Sequence, residues 1–175
     1  MQTDDPLATL VARAAIQDTL SRYTRAVDRV DIDAMKSCFH ADATLYQGGF
    51  QMGAVDFCSA VEGMLLELVL THHQTGNMQY EIHGETAYVE TYFTAIHRIG
   101  SEGWSPFPQA LPGDDLMIRG RYLDQFERLD GVWAIARREA TTDWVRFDRA
   151  DDRGLVEFPP EPVSSRDKKD PAYRR

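Results

Sequence analysis

His72 and His73 stand side by side in Thr71-His72-His73-Gln74-Thr75-Gly76-Asn77. An imidazole becomes an effective general base when a carboxylate fixes its tautomer and stabilises the imidazolium, and it works near neutral pH. Asp28, closing the segment Tyr23-Thr24-Arg25-Ala26-Val27-Asp28, is the candidate carboxylate. At a helix C-terminus its charge opposes the macrodipole at a cost of a few tenths of a kcal/mol if exposed. The simpler alternative is a turn residue leading into Asp31 and Asp33. Tyr23 either packs in a core or offers its phenol to a substrate oxygen. Arg137 and Arg138 are neighbours in an alternating stretch, so one of them must point inward. A buried guanidinium is costly unless a carboxylate or a substrate anion pairs with it.

Other chemistries find less support. His40, His72, His73, His83 and His97 could supply metal ligands, but no H-E-x-x-H spacing occurs. The chain has neither a glycine-rich phosphate loop nor a nucleophile elbow. The expected site needs no metal and no cofactor.

These residues must be positioned by elements of two periods. Leu7, Leu10, Val11, Ala14, Leu20, Tyr23 and Val27 recur at three- and four-residue steps, predicting an amphipathic helix from Pro6 to Val27. A short helix is expected over 32–39 with Asp31 as its N-cap, then a strand over 44–46 ended by Gly48-Gly49. Val55 to Leu70 reads as a third helix, largely buried on one side. Beyond it the period becomes two: strands are expected over 78–82, 86–99, 116–128 and 132–145, the last pair joined by Leu129-Asp130-Gly131. Gly100 to Asp115 holds three prolines and three glycines and reads as a loop rimming a pocket, with Trp104 and Phe107 in it. Simple strand parity sets His72 with Met78, Tyr80 and Ile82, and His73 with the opposite face; a bulge near Gly76 would reset it. From residue 147 the composition turns to Asp, Arg, Pro, Ser and Lys, the signature of an extended tail. Helices segregated from a sheet define an α+β domain, here a cone-shaped α+β barrel with a curved antiparallel sheet wrapped around the N-terminal helices. Its open mouth would admit a small molecule.

The 175 residues suffice for one domain, and 43% hydrophobic content supplies its core. A net charge of −9 argues against nucleic acid and against an anionic membrane as partners. No apolar run has the ~20 residues of a membrane span. The polar, acidic segment Met1 to Pro6 does not read as a secretory signal. Cys38 and Cys58 lack a C-x-x-C spacing and read as buried, reduced thiols of a cytoplasmic protein.

Three segments together resemble SnoaL-like proteins of the nuclear-transport-factor-two-like superfamily. They are Ala15-Ile16-Gln17-Asp18 through Tyr23 to Asp28; Thr71 to Asn77; and Gly120-Arg121-Tyr122-Leu123-Asp124 through Gly131-Val132-Trp133, closed by Arg137 to Trp144. The resemblance spans residues 7–146, implying one domain over 1–146 and a tail over 147–175. Enzymes of the group include scytalone dehydratase, bile acid 7-alpha-dehydratase and hexachlorocyclohexane dehydrochlorinase. It implies a cofactor-independent lyase: His73, rather than His72, as base, Asp28 as its partner, Tyr23 holding a substrate oxygen or leaving group, and Arg138 stabilising developing negative charge. Leu45, Tyr46, Phe50, Tyr92, Ile96 and Asn77 are the expected substrate-binding residues, suited to an uncharged cyclic or aromatic molecule. Loss of water is the default reaction; loss of formaldehyde from an aromatic diol would use the same groups. The alternatives are a non-catalytic ligand-binding module or an isomerase like the ketosteroid isomerases. The resemblance also implies a homotrimer, with a dimer as the alternative, built through the strand from Thr86 to Thr94.

Overall fold

The computed structural model describes residues 5–100, 107–151 and 164–174. Trp104 and the segment 152–163 lie outside the described residues. Helix α1 (Pro6–Arg29) starts at Asp5, whose carboxylate accepts from the Leu7 N–H, and ends where Val30 turns left-handed at φ 53°. Its buried stripe runs through Ala12, Ile16, Thr19, Leu20, Tyr23 and Val27. Leu7, Leu10 and Val11, expected in that stripe, are exposed. Helix α2 (Ile32–Lys36) is capped by Asp31 as expected and stops short of Phe39. Helix α3 (Ala54–Glu67) follows two strands, β1 (Phe39–Gln47) and β2 (Phe50–Gly53). β2 was not anticipated, because four residues carry too little periodicity to register.

Four long strands complete the fold: β3 (Leu70–His83), β4 (Thr86–Arg98), β5 (Asp114–Leu129) and β6 (Val132–Arg149). The β5–β6 hairpin turns on Asp130 and Gly131, both at positive φ. The six strands form one curved sheet in the order β2-β1-β6-β5-β4-β3. Two expectations need correcting. The sheet is mixed, because β1 runs parallel to β6, with Leu45 opposite Arg138. It is also open, with β2 and β3 at its edges. The α+β class and the wrapping of the N-terminal helices by the sheet stand as expected. β6 continues to Arg149, past the expected start of the tail at residue 147.

The core lies between the helices and the concave face, where Ile16, Leu20, Leu45, Phe126 and Ile135 are almost fully buried. Sharp curvature needs bulges. One falls on Gly76 and Asn77, between the pairs Thr75–Phe93 and Met78–Thr91. It resets the parity of β3, so that His73, Met78 and Tyr80 share the inner face and His72 is exposed. At Gly120, β5 presses against β6: a Cβ there would collide with the Thr141 carbonyl oxygen and lie 3.1 Å from the Phe93 ring. Gly120→Ala is expected to lower the unfolding free energy by about 2–3 kcal/mol, read as a fall in the urea midpoint.

Candidate active site

Asp28 sits in the last turn of α1 and is buried, where an unpaired carboxylate would be costly. His73 answers it twice. Its ring Nδ1 lies 2.7 Å from Asp28 Oδ1, and its backbone N–H donates to Oδ2 at 3.0 Å. That N–H is available because β3 is an edge strand, so one side of its backbone has no neighbouring strand. Side-chain exposure is only 8% for His73 and 11% for Asp28, so the pair is screened from bulk water. With Nδ1 bound to the carboxylate, Nε2 is the nitrogen left to accept a proton.

His97, opposite Thr71 on β4, packs edge-on against the His73 ring at 5.3 Å. Burial, reinforced by the nearness of His73 and Arg166, pushes His97 down to about 3, so it stays neutral. A second imidazolium here would oppose protonation of His73. Only its type and position marked His97 in the sequence, where it counted among possible metal ligands. Among the described residues no group of three His, Cys, Asp or Glu is arranged to hold a metal ion.

Arg138 is the inward member of the arginine pair; Arg137 is exposed. Arg138 is fully buried on the concave face, and Nε and Nη2 grip the two Asp124 oxygens at 2.7 and 2.8 Å. The Tyr122, Tyr23 and Phe39 rings lie 4.1, 4.3 and 5.6 Å from its Cζ. Burial disfavours its charge, but Asp124 more than offsets this and holds the guanidinium above its ordinary value. Nη1 alone remains enclosed and without a partner among the described residues. Arg138 is therefore mostly committed to the protein, through Asp124 and the surrounding rings.

Tyr23 meets Phe39 and Tyr122 edge-to-face, at 5.6 and 6.1 Å. Burial pushes its phenol up to about 12, so at neutral pH it stays protonated and can donate. Tyr122 stacks on Phe93 at 4.4 Å and is likewise shifted upward by burial. Tyr122, Asp124, Phe93 and His97 were not singled out for the site from the sequence. Their signal was the inward parity of β4 and β5, read only after pairing is known.

The expected substrate-binding residues divide. Leu45 is buried on the concave face opposite Arg138. Tyr92 and Ile96 project to the other side of the sheet, because the inward residues of β4 are Thr91, Phe93, Ala95 and His97. Tyr46, next to inward Leu45, is 39% exposed, and Phe50 is 71% exposed. Asn77 lies in the bulge and, with Tyr92, Arg119 and Trp144, lines an outer cavity of about 470 Å³. These five residues are not gathered around His73.

The SnoaL-like domain family matches over residues 8–139. Among solved structures, a type 2 hexachlorocyclohexane dehydrochlorinase (LinA) is similar at 20% identity and a TM-score of 0.72, over 86% of this chain and 100% of that one. The type 3 LinA of Novosphingobium barchaimii gives 19% identity and a TM-score of 0.70, over 89% and 100%. A scytalone-dehydratase-like protein of Novosphingobium aromaticivorans gives 23% and 0.67, over 82% and 91%. At such identities the likeness concerns the fold. Sequence comparison with curated proteins finds no match.

Two outcomes follow from the buried charges. Asp124→Asn leaves Arg138 without its counter-charge and should cost about 3–5 kcal/mol in urea unfolding, with Asp124→Asn/Arg138→Met recovering part of it. His97 is neutral when folded, but in the unfolded chain it takes up a proton below about pH 6.5. The fold should therefore lose stability as pH falls from 6.5 toward 3, by up to about 1.4 kcal/mol per unit from this group. His97→Phe should flatten that slope in denaturation measured across the same range.

Proposed function

We propose, from the premise that the chain belongs to the SnoaL-like domain family, that it is a cofactor-independent lyase acting on a small cyclic or aromatic molecule. The observation that carries this reading is the 2.7 Å contact between His73 Nδ1 and Asp28 Oδ1 inside a screened site. It leaves Nε2 as a base whose protonated form has a carboxylate beside it.

In the proposed elimination Nε2 takes a proton from carbon. The C–H electron pair becomes the new double bond as the neighbouring carbon–oxygen bond breaks and hydroxide departs, to be protonated as water. Loss of formaldehyde would begin instead at the O–H of a hydroxymethyl group: as Nε2 takes that proton the oxygen pair forms the C=O of formaldehyde, the carbon–carbon bond to the rest of the substrate breaks, and the carbon left with that electron pair takes the proton back. Tyr23, a protonated phenol, donates to the substrate or leaving oxygen. The free Nη1 of Arg138 meets the negative charge that develops. Leu45, Phe93 and Tyr122 offer apolar surface to a ring. LinA and the scytalone-dehydratase-like neighbour, whose names denote elimination reactions, lend support at the level of the fold.

The same reading has the protein assemble as a homotrimer through the convex sheet face, where Tyr88 and Tyr92 of β4 and Trp144 of β6 are exposed. A monomeric mass in light scattering would overturn it. Location in the cytoplasm belongs to this reading too, in keeping with the free thiols of Cys38 and Cys58. No helix of the described residues is long and apolar enough to cross a membrane.

The test is a panel of hydroxylated aromatic and alicyclic compounds offered to wild type and His73→Ala, with released water-loss products and formaldehyde quantified. A compound is expected to lose a small fragment with wild type and to do so about 10²- to 10⁴-fold more slowly with His73→Ala. Conversion without loss of a fragment would point to an isomerase, and equal rates in both proteins would remove His73 from the reaction.

A further inference from the structure

Residues 164–174 dock on the junction of α1 and α2. Asp31 Oδ2 accepts from the Tyr173 hydroxyl at 2.9 Å and from the Lys168 ammonium. Asp170 pairs with Arg29 at 3.1 Å and caps the short turn Pro171–Tyr173. Arg25 lies over the Tyr173 ring at 4.5 Å. These anchors hold Arg166 at the α3–β3 junction, where Nη1 donates to the Leu68 carbonyl.

The other edge of that guanidinium is idle. Nε and Nη2 of Arg166 are shut away from solvent and have no hydrogen-bond partner among the described residues. These are the two atoms with which Arg138 grips both oxygens of Asp124. Asp28 is near enough for its charge to act on Arg166, but its oxygens are turned to His73. His97, near enough for the charge of Arg166 to act on it, has an enclosed and unpartnered Nδ1, and Thr71, its partner on β3, has an enclosed and unpartnered Oγ1. Thr71 is 2% exposed and faces His97 across the β3–β4 pair, two residues before His73. Buried donors left unmade cost about 1–3 kcal/mol each, and a guanidinium cannot shed its proton to escape. A forked cation beside a hydroxyl and a neutral imidazole matches a carboxylate, which takes two parallel N–H bonds and accepts from the others.

We propose that Arg166, Thr71 and His97 form a subsite for a carboxylate group, so that the molecule presented to His73 is a ring acid rather than the uncharged ring that the apolar lining suggests. The inference rests on the proposed lyase site for its location only, since binding can be measured without turnover. It makes the C-terminal segment part of the site and not a trailing end.

The probes are benzoate and its neutral analogue benzamide, titrated into the full chain and followed by amide NMR. Benzoate should saturate the wild type with shifts at Thr71 and His97, and benzamide should bind at least about tenfold more weakly. Arg166→Gln should weaken benzoate about tenfold or more, and Thr71→Val severalfold. Lys169→Gln, which removes an exposed charge from the same segment, should leave its affinity unchanged. Because Thr71→Val reads the subsite from β3, displacement of the segment by Arg166→Gln does not mask the answer. Equal binding of the two probes, equal effects of Arg166→Gln and Lys169→Gln, or no saturable benzoate binding would overturn the subsite. His73→Ala should keep its benzoate affinity, so an intact subsite without turnover would fault the lyase reading alone.

Discussion

Two hydrogen bonds from one residue, His73, tie the last turn of α1 to the free edge of the sheet. Each partner solves the other's problem. Asp28 is a buried carboxylate at the unfavourable end of a helix dipole, and it needs donors. His73 has a backbone N–H on an edge strand and a ring that needs a fixed tautomer. Meeting both needs at once ties helix to sheet and fixes the ring through Nδ1. The bulge at Gly76 and Asn77 belongs to the same constraint, because without it the residues sharing the face of His73 would be polar rather than Met78 and Tyr80.

A second constraint lies deeper. Arg138 and Asp124 form a fully buried ion pair roofed by aromatic rings, which holds Tyr23, Tyr122 and Phe39 in fixed relation. Apolar residues in place of such pairs are often as stable, so stability alone does not account for charge at this point. Around it the two phenols stay protonated, Arg138 charged and His97 neutral near neutral pH.

Much of this was legible in the sequence, and what was missed has physical causes. The helices declared themselves by period, and Tyr23, Asp28, His73 and Arg138 by type, spacing and family resemblance. Simple alternation favoured His72, because a bulge is a local event that a uniform period cannot register. Tyr92 and Ile96, expected to bind substrate, are turned outward by β4, which presents Phe93 and His97 instead. Asp124 and Tyr122 could be recognised only once β5 was paired with β6. The C-terminal residues read as an extended tail because their composition is polar. They dock through ion pairs and a tyrosine hydroxyl, interactions that hydrophobic periodicity does not encode.

The protonation of the His73 ring is the most direct gauge of whether Asp28 and His73 act as a unit. Nitrogen-15 NMR of the neutral imidazole should find the proton on Nδ1, with Nε2 unprotonated, and Asp28→Asn should erode that preference. A neutral ring carrying its proton on Nε2 in the native protein would contradict it, since that nitrogen could not then serve as the base.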